Sequence, residues 1–453
     1  MKQILWFRRD LRIKDNAILA NAKDEVLPIF IFDTDILDKL DTDDKRVTFI
    51  YESVKNLKND LRALGLDLEV FYGKPKSIFT NLAKEGFDEV LVSADFDDYA
   101  KNRDNEIEKI IPLKRFYDSF LIEPNDGLKA DGTPYKVFTP FYKNLKYIWQ
   151  SDALNEYDSI SNIKNLKLAD YKFNDILSLD SMGFSKALLP DFLNKTAYEI
   201  LDEFKDKIKN YTKGRDYFYL DNTSSLGVHF RFGLISPKIA FNIVKKFYVT
   251  DDEKEFFIRE LFWREFYNYI LYHFPKSEFE NLNGINVNWN NNEEDFKAWC
   301  EGKTGVALID AAMKKFNETG TMHNRLRMIV SSYLTKNLLI DWKWGEKYFA
   351  SKLLDYEASS NIGSWQWAAS TGADSVPYFR VFNPYLQSKK FDKDGIFIKS
   401  VIKELKDVDS KLFHVENALQ EDMFVEYPKQ RVTIDFSRKR AIEEFKRANN
   451  EKN

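Results

Sequence analysis

Short, nearly unbroken apolar runs open the chain at residues 3–7, 26–32, 68–72 and 89–93, with a fifth around 115–122. Amphipathic stretches such as 48–64 and 78–85 lie between them. Runs that are apolar on both faces read as strands buried on both sides, and the helix-period segments between them supply the cover. The pattern predicts a parallel sheet flanked by helices over residues 1–123.

The rhythm then changes. Residues 124–193 mix Gly, Pro and aromatics (DGLKADGTPYKVFTPFYKN) with Asn- and Asp-rich turns, and read as a long connector packed on both halves. From 194 to about 406 the apolar spacing is helical, without the paired turn signals that bound hairpins. Residues 431–453 form a short, highly charged tail. The expected architecture is an α/β, Rossmann-like N-terminal domain joined by the connector to an all-α domain at 194–430. No GxGxxG follows the first strand, so the usual dinucleotide fingerprint is missing.

The densest chemistry falls at 319–379. Met328, Ile329, Tyr333, Leu334 and Leu338 recur there at helical spacing. The same stretch holds Trp342, Trp344, Trp365 and Trp367, the pair Arg325 and Arg327, and a run from Asp355 through Glu357 to Asn361. Read by itself it is equally a buried, Trp-rich helical core.

Composition narrows the function classes. A chain of 453 residues is too long for one ordinary core. The single cysteine, Cys300, excludes an internal disulfide and a Cys-cluster metal site, and four histidines scattered at 229, 273, 323 and 414 do not make a zinc site. No apolar run reaches the roughly 18 residues of a membrane span, and the N-terminus does not read as a secretory signal. A reducing compartment, most simply the cytoplasm, is expected. The net charge of −4 does not favour nucleic acid. Local clusters still suit phosphates: Arg325, Arg327, Lys336, Lys343 and Lys347 in one, Arg380, Lys389, Lys390 and Lys393 in another. Each is equally a solvated face.

Three motifs carry sharper chemistry. TSSLG at 223–227 places hydroxyls and backbone N–H groups at a helix start, which suits a phosphate or a plain N-cap. In ELFWREF, helical spacing puts Glu260, Trp263 and Arg264 on about one face, suited to a flat, hydrogen-bonding ligand or to core packing. Seven of the nine tryptophans lie between 263 and 367, and a spaced row of indoles can pass an electron to a buried flavin.

WFRRDLRIKDN at 6–16, YKVFTPF at 135–141, TSSLG, ELFWREF, EGKTGVALIDAAM, TGTMHNRLRM, DYEASSNIGSWQWAASTGAD and FNP together resemble the DNA photolyase/cryptochrome family. The likeness spans nearly the whole chain and is strongest to bacterial class I cyclobutane pyrimidine dimer photolyases. It implies one FAD in the all-α domain. Tyr211 and Thr223, Ser224, Ser225, Leu226 and Gly227 would hold its diphosphate. Arg327 would pair with Asp355 beside the isoalloxazine, with Asp355, Tyr356 and Glu357 near the adenine-bearing half and Asn361 near flavin N5. Trp365, Trp342 and Trp289 match the family's photoreduction chain. Arg215, Glu260, Trp263, Arg264, Asn324, Arg325, Met328, Trp367 and Gln387 would meet the DNA and the flipped dimer; the general habit of such enzymes is to extrude the damaged base.

The implied activity is light-driven repair of cyclobutane pyrimidine dimers in DNA, by electron transfer from reduced FAD to the flipped-out dimer. Enzymes for the (6-4) photoproduct carry two histidines four residues apart, where this chain has Asn324 and Met328. A blue-light receptor without repair activity is the alternative from another class. Three departures from the family pattern stand out: Gly227 in TSSLG, Thr321 in place of a tryptophan, and YAKNRD without the acidic residue that folate-binding relatives commonly place near Ala100. The last leaves a second, antenna chromophore open between folate, deazaflavin, flavin and none. The chain is expected to be monomeric, with no metal and no membrane contact.

Overall fold

The computed structural model describes residues 1–452. By internal contacts the chain forms two compact units, the first made of 1–133, 142–206 and 224–265, the second of 134–141, 207–223 and everything from 266 onward. This differs from the consecutive division at 123, 193 and 430, because segments far apart in sequence supply each unit.

The first unit is built on a parallel sheet. Its strands are β1 (Lys2–Phe7), β2 (Glu25–Asp33), β3 (Glu69–Gly73), β4 (Glu89–Ser93) and β5 (Leu113–Phe116), in the order β3-β2-β1-β4-β5. A further strand, β6 (Lys167–Leu168), pairs with Glu25 and Val26 of β2, ahead of the stretch that β3 occupies. β1 is central, with Trp6 opposite Ile29 on one side and Val92 on the other. Its residues from Gln3 to Phe7 are buried, which is why the run looks apolar throughout. The fifth strand was expected at 115–122 but spans Leu113–Phe116. Phe120, in the loop beyond it, is buried for another reason: it stacks on Phe96 at 4.9 Å.

The arginines of WFRRDLR are held inside this unit. Arg8 pairs with Asp104 at 2.6 Å, Arg9 with Asp95 at 2.7 Å and Arg12 with Asp118 at 2.6 Å. Asp10 is fully buried; one oxygen accepts from the Arg8 N–H at 2.8 Å and the other has no hydrogen-bond partner. Burial first, and the nearby Asp118 carboxylate second, push Asp10 up to about 7. A carboxyl raised above its unfolded value of about 3.9 holds its proton more tightly in the native state. Stability therefore falls as pH rises from about 4 through about 7. Asp118 is raised in the same direction. Asp10→Asn should make the fall in urea midpoint across that window shallower than in the parent chain. An unchanged slope would show that Asp10 is ionised throughout.

The second unit is helical. Its core joins the fully buried Trp299 and Trp342 to Trp365, Phe349, Tyr333 and Leu334, with Trp289 and Trp344 packed partly buried against it. The helix Asn324–Ser332 runs directly into a π-helical turn, Tyr333–Asn337, every residue of which is buried. Lys336, counted at the sequence level among the basic residues open to phosphate, lies in that turn and is fully buried. Its ammonium donates to Ser370 Oγ at 2.8 Å and lies 3.3 Å over the Phe445 ring. It is not part of a phosphate-binding face.

The charged tail is a 19-residue helix, Ile434–Lys452. Ile434, Ser437, Ala441, Phe445 and Ala448 are its buried positions, at the three- and four-residue spacing of one helix face. That face seats on the second unit: Asn337 Nδ2 donates to Ser437 Oγ at 2.9 Å, and Trp289 meets Phe445 edge-on at 5.8 Å. Among the described residues no helix is long and apolar enough to cross a membrane, and no group of three His, Cys, Asp or Glu side chains is placed to hold a metal.

Candidate functional site

Three adjoining elements of the second unit gather the expected flavin contacts. The helix Asn324–Ser332 starts at His323, whose Nδ1 accepts from the Arg325 N–H at 3.1 Å. Burial pushes His323 down to about 4, so it is a neutral cap. One turn on, Arg327 donates from Nη2 to both oxygens of Asp355, at 3.0 and 2.8 Å, and from Nε to the Met322 carbonyl at 2.8 Å. Nη1 lies outside these bonds. Asp355 sits in the turn before the helix Ala358–Ala369, and Glu357, buried, is that helix's N-cap residue. Glu357 accepts from Ser360 Oγ at 3.3 Å, and Tyr356 beside it is half-buried.

Asn361, one turn into that helix, is buried. Its amide nitrogen donates to the Glu346 backbone carbonyl at 3.1 Å and to Glu346 Oε1 at 3.0 Å. With Nδ2 committed to Glu346, the Oδ1 lone pairs are what this amide offers a ligand. Burial raises the Glu346 carboxyl, while hydrogen bonds from Asn361 and Tyr356 pull it back. Sequence reasoning missed Glu346; nothing local marks it, because its partner comes fifteen residues later on another helix. Trp365 follows Asn361 by one turn and is 3 % exposed. Its indole fits because of Gly345: a Cβ there would stand 2.2 Å from the ring.

The remaining expected residues divide between the units. In the second unit, Tyr211 is buried, and the Arg215 guanidinium lies 5.6 Å from its ring. Thr223 closes a segment of this unit, whereas Ser224, Ser225, Leu226 and Gly227 open a segment of the first. There Ser225 has a left-handed φ of 54°, and the helix Gly227–Arg231 begins behind Leu226 without a side-chain cap bond. The plain N-cap reading of the hydroxyls is therefore not realised. Asn324 is exposed and its Nδ2 lies 3.9 Å from Met328 Sδ, so the two share one helix face. Arg325 pairs with Asp216 at 2.7 Å and lies over Phe391 at 4.7 Å, with its buried Nε unpartnered. Gln387, on the helix Pro384–Phe391, likewise has a buried Oε1 with no partner. Trp367 is half-buried.

In the first unit, Glu260 and Trp263 are half-buried on the helix Asp251–His273. Arg264 donates to the Ser119 carbonyl at 2.7 Å and stands 3.6 Å from buried Glu265, so its guanidinium is engaged internally. The cationic side chains of Arg380, Lys389, Lys390 and Lys393 are exposed.

Trp342 is buried and its indole N–H donates to Asn281 Oδ1 at 2.7 Å, while Trp289 is half-buried. Both belong to or pack on the apolar mass that holds Trp365. Trp299, given no role at the sequence level, meets Trp365 directly with ring centroids 6.0 Å apart. Within the second unit, donors and acceptors at Arg327 and Asn361 and an apolar indole wall at Trp365 are chemistry that suits a flavin ring.

The chain also resembles known proteins over nearly its whole length. Residues 257–447 match the FAD binding domain of DNA photolyase, and residues 3–156 match the DNA photolyase model. The deoxyribodipyrimidine photo-lyase of Alkalihalophilus pseudofirmus is 34 % identical over an alignment covering 98 % of this chain and 97 % of the relative. Among solved structures, a bacterial class III photolyase from Agrobacterium tumefaciens superposes with a TM-score of 0.83 at 31 % identity, covering 99 % of this chain and 98 % of its own. An archaeal photolyase from Sulfolobus tokodaii, solved with two FAD molecules, gives 0.83 at 32 %, covering 99 % and 100 %. Identity at that level, end to end and in both units, means that the chain belongs to the DNA photolyase/cryptochrome family.

Proposed function

We propose that this chain is a deoxyribodipyrimidine photo-lyase, which splits cyclobutane pyrimidine dimers in DNA under blue light. The observation that carries the reading is the convergence of the Arg327–Asp355 pair, Asn361 and Trp365 on adjoining elements within the region that matches the FAD binding domain. Reduced FAD, when bound, supplies the light-driven electron. Arg327, through Nη1, and Asn361, through Oδ1, orient the ring system, and Glu346 keeps Asn361 from turning. Tyr211, Thr223 and the 224–227 segment hold the diphosphate, while Asp355, Tyr356 and Glu357 serve the adenine-bearing half.

Glu260 hydrogen-bonds the flipped dimer and stabilises the charge it gains. Trp263 and Trp367 stack on its bases, each such stack contributing about 1–3 kcal/mol. Arg325 and Gln387 bring unpartnered buried polar atoms to the DNA side, and Arg380, Lys389 and Lys390 hold phosphates. Arg215 and Arg264 complete the proposed contacts, Arg264 by fixing the helix that carries Glu260 and Trp263. The protein works as a cytoplasmic monomer.

Asn324 and Met328 select the lesion. An amide and a thioether 3.9 Å apart cannot relay a proton as paired imidazoles do, and His323 next to them is spent as a helix cap. Reduced enzyme under blue light should restore thymines in a dimer-containing oligonucleotide and leave a (6-4) photoproduct unchanged. Efficient (6-4) repair, or DNA binding with repair of neither lesion, overturns the assignment, the second outcome in favour of a receptor.

A further inference from the structure

The relay role expected of Trp365 leaves one of its contacts unexplained. Trp299 is fully buried, its indole N–H is anchored on the Val330 carbonyl at 3.1 Å, and its ring meets Trp365 at 6.0 Å and 71°. Trp299 also meets the half-buried Tyr348 at 5.8 Å and 64°. The Tyr348 hydroxyl donates to Asn317 Oδ1 at 2.6 Å, with the Cys300 carbonyl at 3.2 Å, and Asn317 is exposed. A continuous line of oxidisable rings therefore leads from Trp365 to a phenol at the wet edge of the second unit, without passing through Trp342 or Trp289.

We infer that Trp299 and Tyr348 form a second electron-supply branch to Trp365, ending in a tyrosine that loses its proton to water beside Asn317. The inference rests on the proposed placement of FAD beside Trp365. Trp365 gives one electron to the photoexcited oxidised flavin, which is the oxidant, and Trp299 refills it. Tyr348 then gives one electron to oxidised Trp299 and loses its phenolic proton. An amide oxygen cannot keep that proton, so it leaves along the Tyr348–Asn317 hydrogen bond into solvent. The balance is one electron inward, one proton outward and a neutral phenoxyl radical at Tyr348. Burial pushes the Tyr348 phenol up to about 12, so it keeps its proton until it is oxidised. Proton loss then traps the hole at the rim, since return requires the proton back.

The branch predicts its own variants. Tyr348→Phe preserves the ring packing against Trp299 and Phe316 and removes only the hydroxyl. FAD-loaded protein is illuminated with blue light, flavin photoreduction is followed by absorbance, and a nitroso spin trap marks radical sites for peptide mass spectrometry. Trp342→Phe, which cuts the first branch, should photoreduce more slowly than the parent, at a residual rate carried by the second branch, and show a trap adduct on Tyr348. Adding Tyr348→Phe to it should slow photoreduction at least tenfold and abolish the adduct. The inference is overturned if Trp342→Phe alone loses photoreduction, or retains it with no adduct on Tyr348. If Trp365→Phe loaded with FAD photoreduces at the parent rate, the placement of the flavin beside Trp365 has failed instead, and the branch with it.

Discussion

Arg327→Ala should purify nearly colourless, its flavin lost rather than its fold. The guanidinium joins three things: both oxygens of Asp355, the Met322 carbonyl and, through Nη1, the proposed flavin. Its side chain is 29 % exposed and that of Asp355 21 %, so the pair is partly screened and falls short of the 3–5 kcal/mol of a fully buried pair. A loss of about 1–3 kcal/mol corresponds to flavin affinity lower by about 5–150-fold. Two effects add: the ligand loses a donor, and the Asp355 charge is left without its partner. Asp355→Asn removes only the charge and should lose less. The check is flavin absorbance per chain after gel filtration, with circular dichroism to show that the helices remain. Arg327→Ala that retains a full complement of flavin would place the cofactor elsewhere.

Trp365→Phe should abolish photoreduction of oxidised flavin, a loss of more than about 100-fold, because both proposed routes, through Trp342 and through Trp299, meet at that indole. Substituting any later member leaves one branch intact, whereas this position is shared. Phe349 and Gly345 continue to shape the pocket around the smaller ring, so the substitution opens space without placing a polar group there. Chemically reduced flavin bypasses the route, which separates electron supply from the binding of DNA. Continued photoreduction in this variant would mean that the tryptophans are packing alone.

Much of this was legible in the chain. The four longer strands could be read because a parallel sheet covered on both faces leaves an unbroken apolar run, as in β1 and β4. β6 could not: two residues carry no period. The fifth strand shifted because loop aromatics such as Phe120 are as buried as a strand would be. The tail hid its helix behind charge, although Ile434, Ala441, Phe445 and Ala448 keep helical spacing. At the site, residues within one motif, such as Asn324 with Met328 or the Asp355–Asn361 run, were singled out by the family resemblance, since each motif is continuous in the sequence. Glu346, Trp299 and His323 were not, because their roles arise from partners on other elements or from a backbone N–H that only the folded helix start presents. Lys336 was misplaced for the same reason: a lysine buried against Phe445 looks like any other in the sequence.

The seating of the C-terminal helix has a consequence for how the protein is made. Its 19 residues are synthesised after the elements they seat on, and a segment of that length is still inside the exit tunnel when its own last residue is added. Until those residues emerge, Lys336, Asn337 and Trp289 therefore wait without Phe445 and Ser437, which complete their surroundings. The first unit faces a milder form of the same delay, since it needs residues up to 265 before its last segment exists. A chain stalled before these residues emerge would thus display an apolar seat and an uncovered lysine to the chaperones and proteases that sample nascent proteins.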